Sequence, residues 1–393
     1  MNDLILNIEI QNFINNNLDS DILKMLLKKP FFDNIENKEI VKQIEAKKKC
    51  KTKLPTWFNL QNIYYPNKLN IEQTSSEITA KYKSNLVNGN SLIDLTGGFG
   101  VDSYYFAKQF HTVTHCEINK ELSNIAAHNF KQLDAQNITT KNNDGISYLK
   151  ENNFNYDWIY LDPSRRHQVK GKVYFLKDCL PNVPEHLEML FQHSTNILIK
   201  TSPLLDILVG ITELSHVKSI HVIAVNNEVK ELLWELEKDY KDDIFINTAN
   251  INIQNKEEFS FKLNDENTSN VQYSLPLAYL YEPNAAILKS GAFKSISNKL
   301  KLFKLHPHSH LYTSDSLTDF PGRRFKIKKM LPYNKQLLKN ESIVKANITT
   351  RNFPETVSQI RKKLKINDGG STYMFFTKNI DENFTVLICN KPN

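Results

Sequence analysis

Apolar residues in stretches 22–27 and 35–44 recur at three- and four-residue spacing, so the first 84 residues read mainly as helices. The charged run 45–53 reads as a helix end. The aromatic stretch LPTWFNLQNIYYP, broken by Pro55 and Pro66, reads as an ordered connector. Residues 75–84 (SSEITAKYKS) predict a capped helix, with Ser before an acid in the first turn. From Asn90 the texture changes. SLIDL, TVTHCEI, YDWIYLD, NILIKTS and SIHVIAV are short, β-rich apolar runs. Helical stretches at 101–109, 121–133 and 184–191 separate several of them, and this alternation predicts a parallel sheet covered on both faces. A further helix is expected at 229–238 and a turn at 239–243. The polar run 264–270 (NDENTSN) marks an expected boundary. Beyond it, strand-like runs and a helix at 356–364 predict a second, α+β region.

The net charge of +7 is unevenly spread. Residues 289–365 hold 18 Lys and Arg against 4 Asp and Glu, an excess of 14, so the rest of the chain sums to −7. The basic block is a candidate surface for polyanions, most simply nucleic acid. A chain of 393 residues predicts two or three domains. It has no run of eighteen apolar residues, so no membrane span is expected. The N-terminal segment lacks the basic start and long apolar stretch of a secretory signal. The four cysteines are far apart and form no CxxC pair, which predicts free thiols in the cytoplasm and neither zinc nor disulfides.

Candidate chemistry gathers at the expected strand ends. Asp94 ends the first strand, Thr96, Gly97, Gly98, Phe99 and Gly100 form a loop, and Val101 opens a helix. Such a loop lets a ligand approach backbone N–H groups, whether NAD, a flavin or a nucleotide. The acids narrow the choice. Glu117 ends the second strand, Asp144 (before Gly145) lies beyond the third, and Asp162 ends the fourth. A pyrophosphate would meet repulsion from Asp94 and Asp162, and the glycines do not fall as GxGxxG. S-adenosylmethionine carries a sulfonium and an ammonium and no phosphate, so it suits this mouth. Glu117 is placed to accept ribose hydroxyls, and Asp144 to accept from the adenine amino group.

The order DLTGGFG, then Glu117, Asp144 and DPSRR, resembles the class I methyltransferases. More narrowly, the chain resembles a bacterial group whose Rossmann-like core carries a ferredoxin-like segment and a C-terminal THUMP-like domain. The matching pieces are EQTSSEITAKYK, DLTGGFGVDSYYF, YLDPSRR, IKTSPLLD, NNEVKELL, YEPNAAILKSG, HSHLYTSD and FPGRRF, over about four fifths of the chain. The resemblance implies an α/β core, mostly parallel with helices on both faces. The expected domains are a helical region at 1–84, the methyltransferase at 85–263, the ferredoxin-like segment at 271–319 and the THUMP-like module at 320–393. It also implies an RNA substrate, tRNA or rRNA, and a lid role for Tyr82 and Lys83.

Asp162-Pro163-Ser164-Arg165 stands where amino-methylating relatives carry Asp/Asn-Pro-Pro-Tyr/Phe, so Asp162 and Pro163 fit while Ser164 and Arg165 depart. Arg165 could stack on a base or bind a phosphate, Arg166 adds a second cation, and Lys200 at the fifth strand end could lower the pKa of a purine N1 or orient a phosphate. HPHSH at 306–310 reads as a loop or an RNA-facing segment rather than a metal site. FPGRRFKIKK supplies Arg323, Arg324, Lys326, Lys328 and Lys329 as candidate phosphate contacts. Two other readings remain: an RNA-binding or assembly factor with a retained pocket, and a small-molecule or protein methyltransferase.

Overall fold

The computed structural model of the chain describes residues 1–165 and 175–392, with Arg165 described for its backbone alone. Two compact units result, Met1–Lys218 with Leu232–Lys241, and Ser219–Glu231 with Asp242–Asn393.

The first unit opens with helices α1 (Ile8–Asn16), α2 (Ile22–Leu26), α3 (Asn37–Lys53), α4 (Pro55–Asn59), α5 (Lys68–Gln73) and α6 (Glu77–Ser84). Side-chain caps fix several starts. Asp21 accepts from the Leu23 and Lys24 amides, and the Ser76 hydroxyl accepts from the Thr79 amide, as the sequence predicts. Helix α3 buries Ile40, Val41, Ile44 and Cys50. These join a cluster that includes Phe99, Val101, Tyr105 and Ile125. The helical region and the glycine loop thus share one core.

The alternating part follows: β1 (Gly89–Asp94), α7 (Val101–Phe106), β2 (Phe110–Cys116), α8 (Lys120–Gln132), β3 (Ile138–Lys141), α9 (Gly145–Glu151) and β4 (Trp158–Leu161). The two-residue strands β5 (Ser164–Arg165) and β6 (Cys179–Leu180) pair antiparallel. Then come α10 (Val183–His193), β7 (Asn196–Thr201) and α11 (Ile207–Glu213). In this unit β3, β2, β1, β4 and β7 lie side by side and parallel. All five therefore point their carboxyl ends the same way, which is where such sheets take ligands.

The expected helix at 229–238 is instead a strand, β9 (Glu228–Glu237), antiparallel to β7. Val229, Leu232, Leu233 and Leu236 do fall at helical spacing. However, Asn226 and Asn227 both take positive φ, 51° and 63°, which forms a two-residue hairpin after β8 (Val217–Val225). Leu232, Leu233, Trp234 and Leu236 are fully buried, which hides the alternation of a strand. Trp234 donates from Nε1 to Thr201 Oγ1 at 2.9 Å.

In the second unit β8 pairs parallel with β10 (Phe245–Ile251), and β10 antiparallel with β11 (Lys256–Lys262). The expected polar boundary is largely a helix, α12 (Leu263–Thr268). It buries no side chain, so it leaves no apolar signal. Its Glu266 carboxylate accepts from the amides of Phe293, Lys294 and Ser295, at the start of a helix further along. The remaining elements are β12 (Tyr279–Pro283), α13 (Ala285–Ser290), α14 (Ser295–Leu300), β13 (Phe303–Lys304), β14 (Tyr312–Ser314), β15 (Gly322–Pro332), α15 (Lys335–Asn340), β16 (Asn347–Arg351), α16 (Val357–Leu364), β17 (Tyr373–Lys378) and β18 (Phe384–Asn390). They build a seven-stranded sheet, β13-β14-β12-β15-β18-β17-β16. Strand β15 pairs with β12 on one side and β18 on the other. Among the described residues no helix is long and apolar enough to cross a membrane.

Truncating Trp234 removes a large buried ring and its hydrogen bond. The Trp234→Ala variant should lose about 3–5 kcal/mol, read as a lower urea midpoint. An unchanged midpoint would contradict the packing of β9.

Candidate cofactor and acceptor site

The first strand ends on a carboxylate that is almost wholly buried. Asp94 is 1% exposed. It accepts from the Thr96 amide at 3.0 Å and from Ser103 Oγ at 2.6 Å. Burial pushes its pKa up to about 7, with the charges of Asp102 and Asp162 adding to the rise. The Ser103 proton goes to Asp94, so Ser103 Oγ accepts from His115 Nδ1 at 3.0 Å. Burial lowers the pKa of His115 to about 3, which makes the ring neutral. The three residues resemble a nucleophilic triad in composition only. Ser103 is fully buried and lies between the other two.

His115 also explains a glycine. A Cβ on Gly97 would lie 2.1 Å from the imidazole, so no other residue lets the loop cross that ring. Gly100 takes φ +86° beside Phe130 and opens α7. Gly98 donates its amide to Glu117 Oε2 at 2.9 Å, and the other carboxylate oxygen accepts from Asn119 N at 2.7 Å. Glu117 thus ties the loop to the end of β2. Each oxygen keeps a lone pair for a further donor, such as a ribose hydroxyl. Asp144 caps α9 through Ser147 N at 2.8 Å. A Cβ on Gly145 would lie 2.4 Å from the Leu95 carbonyl oxygen, so this turn packs against the end of β1.

Asp162 follows β4. Its amide donates to Thr96 Oγ1 at 2.7 Å, which couples the end of β4 to the glycine loop. Its carboxylate pairs with Lys200 at the end of β7. Pro163 is buried and Ser164 exposed. Arg166 and the Arg165 side chain lie outside the described residues.

The sequence reading missed a buried cluster beneath this mouth. Asp102, in the first turn of α7, accepts from Ser75 Oγ and from Tyr160 Oη, each at 2.8 Å. Lys83 Nζ lies 3.2 Å from its other oxygen. Burial alone would raise the Asp102 pKa, but Lys83, Lys200, Ser75 and Tyr160 hold it below the ordinary carboxylate value. Lys83 is fully buried and anchors α6 to α7, a different task from the lid that the resemblance implied. The signal lay in SSEITAKYK and YLDPSRR, but their residues meet only in the fold.

The basic strand is less free than its sequence suggests. Arg323 Nε donates to Glu282 at 2.6 Å, and Arg351 pairs with the same buried carboxylate at 2.9 Å. Arg324 pairs with Asp319 at 3.2 Å and Lys329 with Glu341 at 2.6 Å. Lys326 and Lys328 are exposed, with no acid in ion-pair range among the described residues. In HPHSH, His306 pairs with Glu382 and accepts from Asn352, while His310 stacks on Phe293. Among the described residues no group of three or more His, Cys, Asp or Glu could hold a metal.

A ferredoxin-like domain family matches residues 279–321, and a THUMP domain-like family matches residues 322–391. A solved candidate methyltransferase from Porphyromonas gingivalis W83 superposes with a TM-score of 0.90 at 31% identity, covering 99% of this chain and 98% of that one. TrmK of M. capricolum, solved with S-adenosyl-homocysteine, gives a TM-score of 0.34 at 18% identity, over 42% of this chain and 70% of that one. An rRNA methylase from Streptococcus thermophilus gives 0.31 at 12% identity, over 41% and 94%. No match was found among curated proteins.

The raised Asp94 pKa has a measurable consequence. Between about pH 4 and pH 7 the folded chain holds a proton there that the unfolded chain releases. This group's contribution to stability therefore falls as pH rises through that window and is flat above it. Asp94→Asn, which cannot titrate, should remove the slope. Urea unfolding at matched pH values measures the difference, and parallel curves would contradict it.

Proposed function

Because the chain belongs to the bacterial family of class I methyltransferases that carry a ferredoxin-like segment and a THUMP-like domain, we propose that it methylates a base in structured RNA, tRNA or rRNA. The cofactor is S-adenosylmethionine, and the residues at the mouth fit it. Asp94, Glu117, Asp144 and Asp162 stand at or just past successive strand ends; with Asp94 buried and Asp162 paired to Lys200, Glu117 and Asp144 are left to favour a sulfonium and an ammonium over a pyrophosphate. The Gly98 amide, held by Glu117, ties the loop to the end of β2.

The observation that carries the RNA reading is a basic, THUMP-like module in the same chain as this mouth. Exposed Lys326 and Lys328 are the first candidates for phosphate contacts, since Arg323, Arg324 and Lys329 already have acids. The target base reaches Asp162 by flipping or from a single-stranded loop. S-adenosylmethionine brings an activated methyl group, so the chain's task is alignment. Asp162 accepts a hydrogen bond from the target amine once Lys200 yields it. Thr96 holds the Asp162 backbone in register with the loop. The Lys200–Asp162 pair also favours a second reading, a cofactor-binding RNA factor that transfers nothing.

Transfer of labelled methyl from S-adenosylmethionine to RNA of a strain lacking the gene separates the two. Wild type should label that RNA. Asp162→Ala should keep cofactor affinity within about threefold and lose about 100-fold or more in transfer. Equal labelling by both proteins would refute the role of Asp162. RNA affinity should fall steeply with salt. Replacing Lys326 and Lys328 by Ala should lower the log–log slope by about 2, read by filter binding across a salt series.

A further inference from the structure

Three cations on one face of the seven-stranded sheet share a single acid. Arg323 on β15 stands opposite Glu282 on β12, so their side chains share a face. Phe325, two residues on, lies on that face too. Asn390 stands opposite Lys326, which brings Lys391 beside Phe325. Lys391 Nζ lies 5.1 Å from the centroid of the Phe325 ring, and Arg323 Cζ lies 5.6 Å from it. From the far edge of the sheet, β16 brings Thr349 and Arg351 to the same place. Thr349 stands opposite Phe375, whose ring centroid is 4.9 Å from that of Phe325. Arg323 donates to Thr349 Oγ1 at 3.3 Å, and Arg351 donates to Glu282 at 2.9 Å.

The acid is fully used by the two arginines. The Glu282 side chain is 4% exposed. One of its oxygens accepts from Nε and Nη2 of Arg351, and the other from Nε and Nη2 of Arg323. Each guanidinium keeps its Nη1 donors, which meet no acceptor among the described residues. The Arg323 and Arg351 side chains are 42% and 33% exposed, so a ligand can reach them. Lys391 is exposed and has no acid in ion-pair range among the described residues. Three cations against one acid leave two positive charges in excess. Burial first, and then the charges of Arg323 and Arg324, lower the Lys391 pKa against the pull of Glu282. A buried carboxylate that aligns two guanidinium groups beside an unpaired ammonium makes a receptor for a phosphate. The planar arginine fork matches that anion and stays charged. Lys326 alternates to the opposite face of β15, so this surface is separate from the one Lys326 offers.

We propose that Arg323, Arg351 and Lys391 together hold one backbone phosphate of the RNA. The assignment rests on the RNA reading above and adds a second contact face to it. Glu282 is the positioning residue of this site, since it acts through the two arginines.

The test uses the intact protein and labelled total RNA of a strain lacking the gene, in filter binding across a salt series. Lys391→Gln should weaken binding several-fold and lower the log–log salt slope by about 0.7 to 0.9, the share of one phosphate contact. Lys391→Arg should restore both. The double variant Glu282→Gln with Arg351→Gln removes a cation and its acid together, so the net charge is unchanged and no buried charge is left alone. It should also weaken binding several-fold, which reads the contact rather than the overall field. Native affinity and slope in Lys391→Gln would overturn the proposal, and so would a loss that Lys391→Arg fails to restore. Wild-type protein that bound no RNA would defeat the RNA reading itself, and the proposal with it.

Discussion

A carboxylate with 1% of its surface in water sits at the end of the first strand, and the site is arranged around the cost of keeping it there. Asp94 is compensated by the Thr96 amide and the Ser103 hydroxyl. Thr96 in turn receives the Asp162 amide, and Ser103 receives His115, over which Gly97 passes. One buried acid therefore ties together the loop, the start of α7 and the end of β4. Its raised pKa is the residue of that cost, and a cationic ligand would relieve it.

The second layer works by the same logic. Asp102 stays charged in the interior because Lys83, Ser75 and Tyr160 surround it. The three come from α6, the segment before it and β4, so the pair joins the pre-strand helix to the strand that carries Asp162. A buried pair of this kind adds little net stability over an apolar contact, but breaking it is costly. Its value here is registration. The N-terminal helices share a core with Phe99 and Val101 and so help to set the loop.

The strands β1, β2, β4, β7 and β8 were legible because each is short, apolar and rich in branched residues, and four candidate acids follow strands. Strand β9 was misread because burial on both faces erased its alternation, leaving an accidental helical spacing. The hairpin signal, Asn226-Asn227, was present but weaker than that spacing. Helix α12 was invisible to an apolar pattern because it buries nothing. The Asp102 cluster was hidden for another reason. Ser75, Lys83, Asp102 and Tyr160 span 85 positions, and no spacing rule links them. Likewise, the basic strand looked uniformly free until Glu282, Asp319 and Glu341 were seen beside it.

The central claim is that the loop between Asp94 and Val101 serves a phosphate-free S-adenosyl cofactor rather than a pyrophosphate. Titration of the intact protein with S-adenosylhomocysteine and, separately, with ADP or NAD tests it most directly. One-site binding of S-adenosylhomocysteine and no heat from either pyrophosphate is the predicted result. Saturable binding of ADP or NAD with none of S-adenosylhomocysteine would contradict it.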